Sequence, residues 1–312
     1  MDRKVVCYLK PTTLEYYLTV PPEVPHRLAE AGFDFVYCET AEEFFRNLPE
    51  AEIVITADFK PEWIKLAPKL KWVTTNAAGK ERIAERDLLE HGVKVSFGRY
   101  HGQIMAETVI GMMLFSARGL GRAYRLQRQE PWCAPILQQH NLHVLRGKTC
   151  VILGLGRIGK HIARLTKAFG MYNIGVKRKV TAPPEDVDEI APLEKLHEVL
   201  PLADHLVIVL PNVPETTNLI GANELALLKP TATLHNVGRG NCIDENALYQ
   251  TLKREQIQFA CLDVFQVEPL PVKSPLRTLD NVLILPHSSA FAPEYYELYF
   301  QEFLRDFEEY CK

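Results

Sequence analysis

The sequence predicts an α/β protein of two domains, each built on a parallel sheet. Two observations predict this class. Short apolar, β-branched segments alternate with helical patterns along the whole chain, and a glycine-rich segment follows one such strand near its middle. A chain of 312 residues, 47% of them hydrophobic, is long enough to fill two cores.

The first hundred residues alternate strands and helices without a glycine-rich motif. Strands are predicted at 5–9, 33–38, 53–56, 72–75 and 93–97, and helices at 25–31, 41–47, 61–66 and 82–91. We expect this segment to form a smaller, flavodoxin-like substrate domain, and the amphipathic helix at 293–310 to cross back and close it. The predicted boundaries are 1–102 plus 291–312 for this domain and 103–290 for the second.

The second domain is organised around residues 148–170. Residues 150–153 form a short apolar strand, and Gly154, Gly156 and Gly159 follow it in the spacing G-x-G-x-x-G, before a helical pattern. The first glycine permits a tight turn, the second lets the backbone approach a pyrophosphate, and the third lets the helix pack closely on the sheet. We therefore expect a dinucleotide at this helix N-terminus. The predicted contacts are Gly154, Leu155, Gly156, Arg157 and Ile158.

The remaining segments complete a doubly wound, Rossmann-like sheet. Strands are predicted at 172–176, 205–210, 233–237, 259–264 and 282–285, helices at 194–200, 222–228 and 245–255, and an acidic, proline-containing loop at 183–192. A long apolar helix is predicted at 107–118. The polar and aromatic segment at 124–144 has no clear period, and both an arm that packs on a second copy and a surface loop stay open for it. We expect a homodimer.

Composition argues against several classes of partner. The chain carries 36 basic and 39 acidic residues, a net charge of −3, so nucleic acid and anionic membranes are not expected to bind. The longest apolar run, 109–115, is too short for a membrane span, and the N-terminus has no signal-peptide core, so we expect a cytoplasmic protein. Seven cysteines without a C-x-x-C pair indicate buried thiols. No metal is expected, because the His140–His143 pair has no acidic or cysteine ligand near it.

Four motifs carry a resemblance to a known family: HGQIMAE at 101–107, VILGLGRIG at 151–159, NVGRG at 236–240 with DVFQVEP at 263–269, and LPHSSA at 285–290. In this order they resemble the D-isomer-specific 2-hydroxyacid dehydrogenases, which include glyoxylate/hydroxypyruvate reductases. The resemblance implies hydride transfer from a nicotinamide cofactor to a small 2-oxo acid, giving a D-2-hydroxy acid, in a cleft between two domains. Residues 77–83 depart from the family pattern, so the side chain of the oxo acid stays open.

Reduction of a 2-oxo acid requires a cation for the carboxylate and a proton donor for the carbonyl oxygen. Arg239 lies between two glycines at a strand end, where its planar guanidinium can hold both groups. His287 follows the last strand and can supply the proton. Glu268 is expected to orient His287 and to favour its protonated ring. By the resemblance these three residues are the catalytic set.

The same resemblance assigns further contacts. Ala78 and Gly79 match the family's substrate loop, together with Arg239. Asp263 resembles the family's contact to the nicotinamide carboxamide. Val237 and Gly238, in the motif with Arg239, are expected to contact the cofactor.

The choice of nicotinamide cofactor is predicted from the end of the strand after the glycine helix. An NAD site there usually presents an acid to the ribose 2′-hydroxyl. This chain has Lys177, Arg178 and Lys179 instead, which could pair with a 2′-phosphate. We expect NADP(H), with NAD possible. Two alternatives stay open: a reductase of bulkier 2-oxo acids, and a non-catalytic binding protein that senses NAD(P)H.

Overall fold

The computed structural model describes residues 3–10, 18–130, 132–139, 141–180 and 182–312. Backbone contacts divide the chain into two compact units. Met1–His101 and Phe291–Lys312 belong to the first unit, and Gly102–Ala290 form the second. Each unit contains a parallel sheet with helices, so the predicted α/β class is confirmed.

The sheet of the first unit has the strand order β2-β1-β3-β4-β5, which is the flavodoxin-like order. The strands are β1 (Arg3–Tyr8), β2 (Phe33–Tyr37), β3 (Ala51–Thr56), β4 (Trp72–Thr75) and β5 (Lys94–Phe97). The helices are α1 (Glu23–Glu30), α2 (Ala41–Asn47) and α3 (Glu85–Glu90). The helix predicted at 61–66 is a 3₁₀ segment, Pro61–Leu66.

Burial explains the central strands of this sheet. All six residues of β3 are buried, as expected for a parallel strand covered on both faces. The C-terminal helix (Tyr295–Tyr310) supplies part of the cover: Phe303 and Tyr310 stack on Trp72 with ring centroids 5.5 and 5.4 Å away. The last helix therefore completes the core of the first unit.

The sheet of the second unit has seven strands in the order β12-β11-β10-β9-β6-β7-β8, every pair parallel. The strands are β6 (Thr149–Leu153), β7 (Tyr172–Lys177), β8 (Glu189–Pro192), β9 (His205–Ile208), β10 (Thr233–Asn236), β11 (Phe259–Leu262) and β12 (Val282–Ile284). The helices are α4 (His101–Ala117), α5 (Leu120–Leu126), α6 (Ala134–Gln138), α7 (Arg157–Ala168), α8 (Leu196–Val199), α9 (Ala222–Ala226) and α10 (Glu245–Lys253). This is the Rossmann-like order predicted from the glycine motif.

Three further predicted segments differ from the structure. Strand β8 lies inside the predicted loop 183–192; it is an edge strand paired with β7 alone, and its terminal Pro192 weakened the strand pattern. Helix α4 begins six residues before the predicted start at 107, because polar residues in its first turn obscured the apolar period. The segment 124–144 contains the end of α5 and all of α6; its Pro131 and His140 lie outside the described residues.

The cysteines, metal-binding groups and apolar helices of the described residues bear on three further expectations from the sequence. Five of the seven cysteines are buried, while Cys133 is half-buried and Cys311 exposed. No group of three or more His, Cys, Asp or Glu side chains there could hold a metal ion. By length and composition, no single helix in the described ranges could cross a membrane, although α4 and α5 pass together as a pair bent by 64°.

Three histidines of the second unit form a contact chain, in which His205 and His235 are buried and His143 is half-buried. Nδ1 of His205 lies 3.0 Å from Nε2 of His235, and Nε2 of His205 lies 3.4 Å from Nε2 of His143. Burial lowers the pKa of His205 to about 3 and the pKa of His235 well below its usual value. Both rings are therefore neutral in the folded protein near neutral pH.

This contact chain predicts a loss of stability in mild acid. An unfolded histidine titrates near pH 6.5. Below that pH the unfolded chain therefore binds protons at positions 205 and 235, where the folded protein does not. The free energy of unfolding should fall by about 2 kcal/mol per buried histidine between about pH 7.5 and about pH 5. Denaturant unfolding at the two pH values measures this. The pH effect should shrink in His205→Gln and persist in the control His26→Gln, whose ring is exposed; an equal pH effect in all three proteins contradicts the account.

Candidate active site

The glycine loop has the geometry that its sequence predicts. Gly154 follows β6 with a φ of 98°, and a Cβ there would lie 2.5 Å from the Val209 oxygen. A Cβ on Gly159 would lie 2.3 Å from the Gly154 oxygen. Neither position can therefore carry a side chain. Gly154 is excluded by its positive φ and by the close contact, and Gly159 by the close contact alone.

The N-terminus of α7 fits a nucleotide diphosphate. A Cβ on Gly156 would meet no atom within 4 Å, so open space borders the loop there. Within the part of the chain that the structure describes, no side chain caps this helix. The N–H groups of its first turn are thus available to an anion, and the helix dipole favours negative charge. Leu155 is buried and packs against Gly175, so this loop offers its backbone rather than the leucine side chain.

The predicted basic residues follow the strand next to the glycine loop. Strand β7 pairs in parallel with β6, and its carboxyl end therefore lies beside the loop. Lys177 is half-buried at the end of β7, and Arg178 and Lys179 are exposed after it. Their position suits a group on the adenosine ribose of a dinucleotide.

The carboxyl ends of β10, β11 and β12 carry the predicted catalytic residues. Arg239 follows β10 in extended conformation, with φ −137° and ψ 142°, and its Nη1 donates to the Gly238 oxygen at 2.8 Å. Glu268 lies in the loop after β11, and His287 three residues after β12. Neighbouring strands in a parallel sheet bring these loops to one edge, where α/β proteins bind ligands.

A hydrogen bond of 2.7 Å joins Nδ1 of His287 to Oε2 of Glu268. The other carboxylate oxygen, Oε1, accepts the Phe265 N–H at 2.9 Å, which orients the side chain. Because a carboxylate only accepts, Nδ1 carries the hydrogen and Nε2 is the nitrogen left for a substrate. The pair is half-exposed, so an incoming molecule can reach it.

Backbone contacts connect the Arg239 loop to this pair. Gly240 lies so close to β11's loop that a Cβ would fall 1.9 Å from the Phe265 carbonyl carbon. Phe265 in turn donates to Glu268, which bonds His287. Arg239, Glu268 and His287 therefore lie on loops that contact one another through the backbone of Gly240 and Phe265 and through the hydrogen bond between Glu268 and His287.

Asp263 fixes the loop that carries His287. Its side chain is fully buried, and its oxygens accept the N–H groups of Ser288 at 2.7 Å and Ser289 at 3.1 Å. Its backbone oxygen accepts the His287 N–H at 2.9 Å, where His287 adopts a left-handed φ of 54°. Each carboxylate oxygen has a second lone pair, so the predicted contact with a nicotinamide carboxamide stays a prediction.

A further acid influences the electrostatics of this edge. Oε1 of Glu245, at the start of α10, accepts the Gln266 N–H at 2.5 Å. Burial raises the pKa of the Glu245 carboxyl, and the charge of Glu268 raises it further. The two carboxylates thus approach the same short loop from different elements.

The predicted substrate loop lies after β4 in the first unit. Ala78 is exposed and Gly79 half-buried. Asn76, just before them, is held through its backbone oxygen by the hydroxyls of Tyr100 at 2.9 Å and Tyr295 at 3.2 Å. The start of the loop is therefore anchored by side chains of its own unit.

Sequence reasoning missed three contributors to the second unit's site. The Asn236 side chain forms hydrogen bonds with the backbone of the Arg239 turn. The backbone of Leu210 lies against Gly238, and a Cβ on Gly238 would lie 2.7 Å from the Leu210 nitrogen and oxygen. Thr108 donates to the Ser289 oxygen at 2.9 Å. The residue Asn236 stands in the quoted NVGRG motif, which was the available signal. The sequence contains no comparable signal for Leu210 or Thr108.

A cavity of about 650 Å³ lined by Phe115, Arg122, Leu142 and Phe259 lies elsewhere in this unit and contains none of the predicted site residues.

Comparison with known proteins identifies the family of this chain. Residues 110–289 match the family model described as "D-isomer specific 2-hydroxyacid dehydrogenase, NAD binding domain". A glyoxylate/hydroxypyruvate reductase B of Yersinia pestis is 31% identical over 288 residues, 89% of this chain and 87% of that protein. A D-3-phosphoglycerate dehydrogenase of Methanocaldococcus jannaschii is 33% identical over 82% of this chain, which spans about half (49%) of that protein.

A solved structure extends the likeness to nearly the whole chain. An acyclic imino acid reductase in complex with NADPH and D-Arg superimposes with a TM-score of 0.82 at 27% identity, covering 98% of this chain and 96% of the other. The fold and the family model thus define an α/β protein of two units with a nicotinamide-dinucleotide-binding domain. The chain belongs to the D-isomer-specific 2-hydroxyacid dehydrogenase family, an oxidoreductase family, and residues 110–289 match the NAD binding domain of that family.

Proposed function

We propose that this protein reduces small 2-oxo acids of the glyoxylate, hydroxypyruvate and pyruvate type with NADPH, giving D-2-hydroxy acids. The observation that carries the proposal is the 2.7 Å bond between His287 and Glu268 on loops adjoining Arg239. The name of the Yersinia pestis relative supports the substrate class. Arg239, Glu268 and His287 are the proposed catalytic residues.

Each side chain has a role in the proposed reaction. Arg239 binds the carboxylate and carbonyl oxygens through two guanidinium N–H groups. Nε2 of His287 donates a proton to the carbonyl oxygen, and Glu268 stabilises the ring while it is charged. A nicotinamide bound at this site would supply or accept the hydride. Asp263, Val237 and Gly238 are the proposed contacts to the nicotinamide end, and the resemblance adds substrate contacts at Ala78 and Gly79.

A substrate panel tests the proposal. The protein is mixed with NADPH and each of glyoxylate, hydroxypyruvate, pyruvate, phenylpyruvate and 2-oxoglutarate, and the loss of reduced cofactor is followed. We expect turnover with the three small acids. A parallel series contains methylamine, which forms imines with the oxo acids, since one protein of similar structure is an imino acid reductase. Turnover only with imines, only with the bulkier acids, or NADPH binding without turnover contradicts the proposed function.

The NADPH preference rests on the basic residues after β7. Arg178→Asp should lower the ratio of kcat/KM with NADPH to kcat/KM with NADH about 100-fold, because it replaces a partner of the 2′-phosphate by a repelling charge. Steady-state kinetics with both cofactors measure the ratio. Lys195→Asp, a surface lysine paired with Glu198 in the same unit, should leave the ratio unchanged. A wild-type protein that prefers NADH refutes the assignment.

We further propose a homodimer in the cytoplasm. Large apolar side chains are concentrated on the exposed surface of the segment 120–144: Leu120, Tyr124, Trp132, Leu142 and Val144. Exposed apolar surface of this kind is typical of protein contacts. Light scattering should give twice the chain mass, and Trp132→Asp should lower that mass; a monomeric wild-type protein contradicts the proposal.

A further inference from the structure

Asn236 is the last residue of β10 and is 1% exposed. Its Oδ1 accepts the Gly238 N–H at 3.1 Å, and its Nδ2 donates to the Arg239 oxygen at 3.1 Å. Both partners are backbone groups of the turn that carries Arg239. The amide side chain therefore uses one acceptor and one donor to hold the peptide group before Gly238 and the peptide group after Arg239.

The turn is also confined by neighbouring backbone. Gly238 is pressed against Leu210, and Gly240 against Phe265, so closely that neither could carry a Cβ. These contacts limit where the turn can lie, and the Cys242 N–H also donates to the Arg239 oxygen at 3.2 Å. The Asn236 side chain holds the peptide group before Gly238 as well as the one after Arg239, and so limits the direction in which the arginine side chain leaves the backbone.

We propose that Asn236 is a positioning residue for Arg239. It does not touch the substrate; it holds the Gly238 N–H and the Arg239 carbonyl oxygen so that the guanidinium is oriented for the carboxylate of a 2-oxo acid. The proposal rests on the proposed function for its effect on catalysis. Its structural half, the immobilised turn, is independent of the substrate.

The test compares three variants of the full-length protein. Asn236→Ala removes both hydrogen bonds. Asn236→Ser keeps a short acceptor for the Gly238 N–H but does not reach the Arg239 oxygen. Asn173→Ala is the matched control: Asn173 is fully buried on β7 and makes three side-chain hydrogen bonds, to Thr166, Ala163 and Asp186, outside the site.

Two readouts separate positioning from general stability. The first is hydrogen exchange of the Gly238 amide, which we expect to accelerate at least about tenfold in Asn236→Ala and not in Asn173→Ala. The second is kcat/KM for the 2-oxo acid, which should fall about 100-fold in Asn236→Ala, with a smaller fall in Asn236→Ser. Asn173→Ala should lower the melting temperature while keeping kcat/KM within about threefold of wild type.

Each outcome decides the proposal. Unchanged Gly238 exchange in Asn236→Ala overturns it, whatever the panel of oxo acids shows. Faster exchange with unchanged kcat/KM also overturns it, because the turn would then be free without consequence for Arg239. An equal loss of kcat/KM in Asn173→Ala reduces Asn236 to a structural residue. If wild-type protein turns over no oxo acid, the proposed function fails, while the exchange rates still decide whether Asn236 holds the turn.

Discussion

His287→Gln is expected to lower kcat for 2-oxo acid reduction about 1,000-fold, because it removes the proton donor to the carbonyl oxygen. Glutamine can still bond Glu268, so the loop should keep its conformation. Binding of NADPH should therefore stay close to wild type. Stopped-flow or steady-state kinetics with saturating NADPH and each acid measure the loss.

The chain provides a matched control for this variant. His197 bonds Glu224 at 2.8 Å, and the His197 side chain is 63% exposed. His287 bonds Glu268 at 2.7 Å, and the His287 side chain is 54% exposed. His197→Gln alters a histidine–glutamate pair of similar length outside the site, formed through Nε2 rather than Nδ1, and it should leave kcat unchanged. Retention of more than about a tenth of wild-type kcat in His287→Gln would exclude a proton-donor role.

Arg239→Gln is expected to reduce kcat/KM for the 2-oxo acid about 1,000-fold, with much of the loss in KM. The variant removes a charged, two-pronged partner of the substrate carboxylate, and charge-assisted hydrogen bonds contribute more than neutral ones. Arg239→Lys should recover only part of the activity, because an ammonium keeps the charge but not the planar fork. Initial-rate kinetics over a wide range of substrate concentration measure both constants.

Chemical rescue gives this prediction its control. Free guanidinium added to Arg239→Ala should restore part of the rate if the side chain acts directly on the substrate. The same additive should not stimulate Arg125→Ala, whose native arginine is bound to Asp280 on the surface. A KM that is unaltered in Arg239→Gln would show that the carboxylate is held by another group.

The parts of the site that sequence predicts are those in which residue type is dictated by backbone sterics or by recurrent chemistry. Gly154 and Gly159 have to be glycine because of a φ of 98° and a 2.3 Å approach, and such constraints appear directly as a spacing. The strands of both sheets, except β8, follow from their buried apolar segments. His287 and Glu268 were found through the family resemblance, and the structure brings them within 2.7 Å.

The parts that sequence does not predict depend on contacts between side chains and distant or local backbone. Nothing in the pattern around Asn236 shows that its amide turns back onto residues 238 and 239, since an asparagine there could equally face solvent. The contact of Thr108 with Ser289 joins residues 181 positions apart. Strand β8 was not predicted because it is an edge strand that pairs with β7 alone, and such a strand needs few apolar residues.

The central claim is that Arg239, Glu268 and His287 together reduce the carbonyl of a small 2-oxo acid with hydride from the nicotinamide. Transfer of deuterium tests this most directly. The protein is incubated with glyoxylate analogues that form a chiral product, such as hydroxypyruvate, and with NADPH deuterated on either face of C4; the product is analysed by mass spectrometry and chiral chromatography. The account predicts one deuterium at C2 of the D-2-hydroxy acid from one of the two labelled cofactors, and none with His287→Gln over the same time. Product without deuterium from either cofactor, or product of the L configuration, would contradict it.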